Sequence, residues 1–109
     1  MNFMKVAQTN DIASGDMKKV TDAGHDILIA NIGGKFHAIP STCTHMSEDL
    51  SKGTLQDCIV TCPKHGSKFD VRTGQAVGEA RVLFFKMKVK NTHSYPVKVE
   101  GDDILVGLD

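Results

Sequence analysis

Two cysteine–histidine pairs stand close together in the middle of the chain and could bind a metal. The first pair is Cys43 and His45, and the second is Cys62 and His65. Thiolate and imidazole are the ligands that proteins use for zinc and for iron, and the short gap within each pair lets both side chains reach one centre. From the spacing alone, an iron–sulfur centre, a zinc site and no metal at all remain open.

The other residues of these two types show no comparable spacing. Cys58 begins an apolar β run, which favours a small buried side chain over a ligand or redox role. His25, His37 and His93 have no cysteine or carboxylate at a distance along the chain that suggests a second site. The candidate metal centre is therefore confined to the two pairs.

Composition excludes several classes of function. Thirteen basic residues balance 13 acidic ones among 109 residues, so no long-range field draws the chain to nucleic acid or to an anionic membrane. No apolar run approaches the roughly 18 residues of a spanning helix, and the opening "MNFMKVAQTN" lacks the pattern of a signal peptide. Three cysteines, an odd number, suit a reducing compartment better than a disulfide framework. We expect a cytoplasmic protein without nucleic-acid or membrane partners.

Alternating, β-branched runs separated by Gly, Asn and Asp predict an all-β fold, a small antiparallel β-sandwich or barrel. Two glycines at 33–34 predict a hairpin turn, "EGDD" at 100–103 predicts another turn, and one helical turn is predicted at 46–51. The predicted strands lie at 4–7, 17–21, 25–32, 35–39, 58–62, 67–74, 84–90, 95–101 and 103–108. Since no linker or repeat interrupts residues 1–109, we expect a single domain.

Two loops of this fold carry the candidate ligands. The stretch 40–55 has almost no alternation and is rich in Ser, Thr, Asp and Gly. A loop of this length in a compact domain is usually functional, because its backbone polar groups need partners that a sheet would otherwise supply. The two ligand loops are placed at about 41–55 and 61–69.

The residues around the two pairs resemble the Rieske [2Fe-2S] proteins. The signature of that family is Cys-X-His, followed some sixteen or more residues later by Cys-X-X-His. Here the motif reads "CTH" at 43–45 and "CPKHGS" at 62–67, where the Cys-Pro, the His-Gly and the following Ser match the family. The resemblance implies a Rieske fold with two cluster-binding loops.

Most of the chain shares the resemblance. It includes "DIASGDMKKV" at 11–20, "ILIANIGGKFHAIPSTCTH" at 27–45 and "YPVKVEGDDILVGL" at 95–108. Between residues 78 and 95, family members often carry a short Pro-containing loop that covers the cluster, and this chain has no proline there. The sequence does not show what shields that side of the cluster.

The resemblance implies one Rieske-type [2Fe-2S] cluster per chain. Cys43 and Cys62 would bind one iron as thiolates, and His45 and His65 would bind the other through imidazole nitrogen. Replacement of two anionic thiolates by neutral imidazoles would raise the potential above that of an all-thiolate ferredoxin.

Three further residues of the second loop take supporting roles in the family pattern. Gly66 would let the loop backbone approach the sulfides, and Ser67 would donate a hydroxyl hydrogen bond to a bridging sulfide. Pro63 would stiffen the loop.

Three positions differ from the high-potential Rieske proteins of respiratory complexes. Those proteins carry one extra cysteine in each loop, which together form a disulfide, and a tyrosine two residues after the serine. The corresponding residues here are Glu48, Lys64 and Phe69. Without the disulfide and the tyrosine hydrogen bond, we expect a midpoint potential in the lower half of the Rieske range of about −150 to +300 mV.

The resemblance implies an electron carrier rather than an enzyme. The chain lacks the Asp/Glu-X-X-His-X-X-X-X-His stretch that binds mononuclear iron in Rieske oxygenases. It resembles the ferredoxin component of multicomponent oxygenases, which passes electrons from a flavin-dependent reductase to a terminal oxidoreductase such as a ring-hydroxylating oxygenase. Weak docking is expected at the cluster tip, through Met46, Pro63, Lys64 and Gly66.

Two alternatives remain. One is the small Rieske-like subunit of an assimilatory nitrite reductase, and the other is a zinc-stabilised structural module of the same fold.

Overall fold

The computed structural model describes residues 2–44, 48–64, 66–77, 80–82, 85–87 and 89–108, and these ranges fold mainly into antiparallel β-sheet. The strands in chain order are β1 (Asn2–Gln8), β2 (Met17–Asp22), β3 (His25–Ile32), β4 (Lys35–Pro40), β5 (Thr54–Gln56), β6 (Ile59–Thr61), β7 (Lys68–Asp70), β8 (Ala80–Val82), β9 (Phe85–Met87), β10 (Val97–Glu100) and β11 (Asp103–Leu108). Within the same ranges, the helical elements are two 3₁₀ turns, Thr9–Asp11 and Leu50–Lys52. The prediction of an all-β antiparallel fold is confirmed.

The strands form antiparallel sheets with the orders β1-β11-β10, β2-β3-β4, β5-β6-β7 and β8-β9. The first and last strands pair with each other, with Asn2 opposite Leu108. Ala38 in β4 forms an isolated bridge with Tyr95, just before β10. This bridge joins the second sheet to the segment that leads into the first.

The β3–β4 hairpin delivers the chain to the first ligand loop. Gly33 and Gly34 both take positive φ, at 62° and 92°, a conformation that glycine adopts without steric cost. The register pairs Ile32 with Lys35 beside the turn and Ile27 with Pro40 at the other end. The predicted hairpin is therefore confirmed, and its far end leads directly into the loop that contains Cys43.

The buried apolar side chains form two clusters, one on each face of β3. Leu28 and Ala30 belong to the first cluster, whereas Ile27 and Ile29 belong to the second. All four are fully buried, and a fully buried Leu or Ile side chain stabilises the fold by roughly 1.5–3 kcal/mol. The first cluster, called the cysteine cluster below, also contains Cys43, Leu50, Val60, Cys62, Phe69, Val71 and Ile39.

Some predicted boundaries were wrong. β5 begins at Thr54, within the stretch 40–55 that was expected to be a loop, and ends at Gln56. Of the strand predicted at 84–90, the structure describes β9 (Phe85–Met87), and β8 precedes it. The helical turn predicted at 46–51 is found at Leu50–Lys52, while 46 and 47 lie outside the described residues.

The strand predicted at 67–74 ends early, at Asp70, because that residue forms a local turn. The Asp70 carboxylate accepts hydrogen bonds from the Arg72 backbone N–H at 2.9 Å and from the Arg72 guanidinium at 2.8 and 3.1 Å. These bonds from Arg72 hold the pKa of Asp70 below its usual value, against the opposing effect of burial. The chain therefore turns at 71–74 instead of continuing as a strand.

Candidate metal centre

The structure brings two of the four candidate ligands into one buried region. Cys43 is 1% exposed and Cys62 is 2% exposed, and both belong to the cysteine cluster. His45 and His65 lie outside the described residues. Because a bound metal ion offsets the charge of the thiolates that bind it, two cysteines in one apolar cluster are compatible with a shared metal centre.

The two ligand loops are closed by the same kind of hydrogen bond. The backbone N–H of Cys43 donates to the carbonyl of Glu48 at 2.7 Å, and that of Cys62 donates to the carbonyl of Ser67 at 2.7 Å. In each loop the cysteine is thus tied to the residue five positions later. The candidate histidine of each pair falls in the sequence between the two tied residues.

The second loop contains a buried hydroxyl that fits a cluster. Ser67 is 1% exposed, and its Oγ has no hydrogen-bond partner within the described ranges. A buried hydroxyl without an acceptor costs roughly 1–3 kcal/mol, so an acceptor such as a sulfide would relieve that cost. Gly66, just before it, has φ 76°, a conformation that other residues rarely adopt. The buried cysteines and this hydroxyl are a donor set that fits an iron–sulfur cluster.

Asp49 anchors the base of the first loop. Its Oδ1 accepts hydrogen bonds from Ser41 Oγ at 2.7 Å, from the Ser51 backbone N–H at 2.9 Å and from Ser51 Oγ at 2.6 Å. Its Oδ2 accepts from Lys19 Nζ at 3.2 Å. Burial opposes ionisation of Asp49, but the hydrogen bonds from Ser51, Ser41 and Lys19 outweigh it and hold the pKa well below its usual range. The loop is therefore fixed at its base to β2 and to the end of β4.

Backbone contacts close the first loop and bring its end against β6, the strand that leads to Cys62. The Leu50 N–H donates to the Ser41 carbonyl at 2.7 Å, and Leu50 is fully buried. Gly53 lies so close to β6 that a Cβ there would be 1.8 Å from the Thr61 carbonyl oxygen. Only glycine fits at this position, and its absence of a side chain lets the first loop approach the residue next to Cys62.

Sequence reasoning missed two residues that hold the first loop. Asp49 precedes a short helical turn, and an Asp at that position is the usual signature of an N-terminal cap, so this role could have been found. Thr44 donates from its hydroxyl to the carbonyl of Lys90 at 2.7 Å. No local pattern indicates that contact, because the two residues are 46 positions apart.

Among the described residues, which do not include His45 and His65, no group of three or more His, Cys, Asp or Glu residues could hold a metal ion. Within the described ranges, no helix has the length and apolar character needed to cross a membrane.

Comparison with known proteins identifies the family. The protein-family model for the Rieske [2Fe-2S] domain matches residues 2–84 of the sequence. The chain is also 37% identical over 109 residues to the ferredoxin component of biphenyl 2,3-dioxygenase from Rhodococcus jostii strain RHA1, an alignment that covers 100% of this chain and 95% of that protein. The chain belongs to the Rieske [2Fe-2S] family, and the resemblance drawn from the two motifs is confirmed, together with the Rieske-type cluster as cofactor.

Solved structures confirm the fold. The ferredoxin of carbazole 1,9a-dioxygenase from Nocardioides aromaticivorans IC177 superimposes with a TM-score of 0.86 at 26% identity, covering 100% of both chains. A chain from the complex of reduced oxygenase and oxidized ferredoxin in carbazole 1,9a-dioxygenase gives a TM-score of 0.81 at 28% identity, covering 95% of this chain and 91% of that one. These similarities favour an oxygenase-type ferredoxin over the nitrite reductase subunit and the zinc module.

Proposed function

We propose that this protein is a one-electron carrier that delivers electrons to the terminal oxygenase of a multicomponent, ring-hydroxylating system. The observation that carries the proposal is the full-length similarity to the ferredoxin component of biphenyl 2,3-dioxygenase. The similarity to a chain from an oxygenase–ferredoxin complex supports the same type of partner. The protein is an electron-transfer component, and the oxidation of substrate takes place in the oxygenase.

The ligand assignment is part of this proposal. Cys43 and Cys62 bind one iron of the cluster, and His45 and His65 bind the other. The burial of both cysteines in one apolar cluster supports the assignment. The bound cluster supplies reversible one-electron chemistry, and its two neutral imidazole ligands set a potential above that of all-thiolate ferredoxins.

The chain itself contributes a dry and preorganised site. The cysteine cluster excludes water from the thiolates, because Leu50, Val60 and Phe69 around them are fully buried. The two loops, each closed by a hydrogen bond from its cysteine N–H, limit the positions that Cys43 and Cys62 can take. The buried Ser67 hydroxyl donates to the cluster.

We also propose that a flavin-dependent reductase supplies the electron, in the cytoplasm, through brief contacts at the cluster tip. Pro63, Lys64 and Gly66 of the second loop are exposed and are available to a partner, whereas Met46 lies outside the described residues. Fast electron exchange requires that partners separate quickly, which suits a small interface.

The midpoint potential is proposed to lie in the lower half of the Rieske range of about −150 to +300 mV. Phe69 stands where high-potential relatives have a hydrogen-bonding tyrosine, and its ring is fully buried. Phe69 has no hydroxyl, so it cannot donate the hydrogen bond that would stabilise the reduced iron–sulfur cluster. Protein-film voltammetry with a midpoint near the top of that range would refute this part of the proposal.

The decisive experiment is electron paramagnetic resonance of the dithionite-reduced protein, with iron and zinc measured on the same sample. We expect two irons per chain and a rhombic signal with a low average g value. C62S should abolish the signal, whereas C58S is a matched control, because Cys58 is only half-buried and lies in the turn before β6. A silent spectrum with one zinc per chain would refute the electron-carrier proposal, and loss of the signal in C58S would refute the ligand assignment.

A further inference from the structure

A side chain within the first cysteine–histidine pair holds a distant part of the chain. Thr44 lies between Cys43 and His45, and its Oγ1 donates to the backbone carbonyl of Lys90 at 2.7 Å. Lys90 belongs to the segment 89–92, which we call the strap. It lies in the part of the sequence where the family's Pro-containing loop is absent.

The strap is itself fixed to the turn that follows β7. The Asn91 side-chain Oδ1 accepts a hydrogen bond from the Ala76 N–H at 2.8 Å, and the Thr92 N–H donates to the Gly74 carbonyl at 2.8 Å. A Cβ at Gly74 would lie 2.5 Å from the His93 carbonyl carbon. The backbone of the strap's end thus packs directly against this turn.

The turn is paired with β7, the strand that follows the second ligand loop. Ala76 forms an isolated bridge with Phe69 in β7, and the Val77 N–H donates to the Lys68 carbonyl at 2.8 Å. β7 begins at Lys68, directly after Ser67. The strap is therefore anchored to the strand that leaves the second loop, and the Thr44 hydroxyl connects it to the first loop.

The strap also contacts the apolar surroundings of the ligands. Val89 is half-buried and packs against the cysteine cluster, which contains Cys43 and Cys62. The strap thus lies against the same apolar cluster as both cysteines, while its polar groups fix it to the first loop and to the turn after β7.

We propose that Thr44 and Asn91 are positioning residues for the cluster: they hold the strap between the first ligand loop and the turn after β7, and the strap keeps water from that side of the cluster. This inference rests on the proposed function and concerns the feature that the sequence left open, the cover of the cluster. Thr44 acts only through its hydroxyl, and Asn91 acts only through its side-chain oxygen. Neither residue is a ligand.

The expected effect of releasing the strap has a definite sign. Reduction adds one negative charge to the cluster, and water stabilises a charged group more than an apolar surrounding does. Solvent exposure is one of the factors that set the potential of an iron–sulfur cluster. Entry of water should therefore raise the midpoint potential.

The test compares two pairs of variants by voltammetry and electron paramagnetic resonance. T44V removes the hydroxyl with little change of shape, whereas T44S keeps it. N91A removes the acceptor for Ala76, whereas T92A changes the next side chain but keeps the backbone bond to Gly74. We expect T44V and N91A to raise the midpoint potential and shift the g values, and T44S and T92A to match the unaltered protein.

The outcomes separate this inference from the proposed function. If the unaltered protein lacks the Rieske signal, the proposed function itself is wrong. If that signal is present but T44V has an unchanged potential, or if T44S is altered as much as T44V, the role of the strap is overturned. Should N91A fail to fold, the T44V and T44S pair decides the question alone.

Discussion

The backbone N–H of Cys62 donates a 2.7 Å hydrogen bond to the carbonyl of Ser67. This bond closes the second ligand loop, and it places the serine hydroxyl in a position where it is buried without a partner among the described residues. The protein thereby keeps a donor ready next to a candidate ligand. Cys43 and Glu48 are bonded in the same way in the first loop.

Removal of the Ser67 hydroxyl should lower the midpoint potential. A hydrogen bond to a charged group contributes about 1.5–3 kcal/mol, and about 1.4 kcal/mol corresponds to 59 mV for one electron. We therefore expect S67A to lower the potential by roughly 60–130 mV in voltammetry. Ser41 offers a matched control, since it is equally buried at 1% exposure but its hydroxyl donates to Asp49. S41A should reduce stability and leave the potential nearly unchanged; a larger shift in S41A than in S67A would contradict this role of Ser67.

Loss of the Asp49 carboxylate should weaken the first loop. D49A removes the acceptor of three hydrogen bonds at one oxygen and should lower the free energy of unfolding by roughly 2–3 kcal/mol. D49N keeps that oxygen but loses the charge that faces Lys19, so it should lose about half as much. Urea unfolding at neutral pH measures both values.

Asp49 should also contribute to acid sensitivity. Because folding lowers its pKa from 3.8, the ionised carboxylate stabilises the fold fully above about pH 4 and loses that contribution as the pH falls further. The stability difference between the unaltered protein and D49N should therefore shrink from pH 7 to about pH 3 in urea unfolding. A difference that stays constant over this range would show that the charge of Asp49 does not stabilise the fold.

A methyl group at Gly74 should destabilise the protein more than one at Gly15. Both glycines have positive φ, at 81° and 87°, so alanine is strained at either position by about 1–2 kcal/mol. At Gly74 the added Cβ would also lie 2.5 Å from the His93 backbone, whereas at Gly15 nothing lies within 4 Å. We expect G74A to cost roughly 2–4 kcal/mol in urea unfolding and G15A about 1 kcal/mol. Equal costs would mean that the packing at Gly74 is unimportant.

Charge reversal beside the second loop should slow electron transfer. Lys64 and Lys68 are exposed, and charged groups around a docking site mainly affect the rate of association. In stopped-flow reduction by a flavin-dependent reductase, the double change K64E and K68E should slow the reaction by roughly tenfold at low salt, and the difference should shrink as salt screens the charges.

K35E is the matched control for that charge reversal. Lys35 is exposed, and it lies beside the β3–β4 turn, at the end of β4 away from the first loop. The K35E substitution should leave the rate of reduction by the reductase unchanged. If the double variant also reacts at the original rate at low salt, Lys64 and Lys68 are only solvated charges.

The sequence predicted those elements whose signals are local. The β3–β4 hairpin was predicted to within one residue, because Gly33 and Gly34 mark the turn and strong β formers flank it. The strand at 67–74 was predicted too long, because Asp70 bonds to Arg72 and starts a turn within an alternating pattern. β5 was missed because three residues are too few to show a period.

The candidate site shows the same division. The two Cys-His pairs and their neighbours are sequence motifs, so the family and its cofactor could be predicted. The contact between Thr44 and Lys90 joins two loops far apart in the sequence, and only the fold brings them together. The close approach of Gly53 to Thr61 follows from the β5–β6 pairing, in which Thr54 lies opposite Thr61, and it was missed together with β5.

β3 contributes alternate side chains to two separate apolar clusters, and only one of these contains the cysteines. Removal of the metal should loosen the cysteine cluster. The second apolar cluster, which includes side chains from the sheet of β1, β11 and β10, should stay packed. Amide hydrogen exchange of the apoprotein should then show fast exchange around the loops and slow exchange in β11. Such a half-ordered apoprotein could receive its cluster after synthesis without folding again from the unfolded chain.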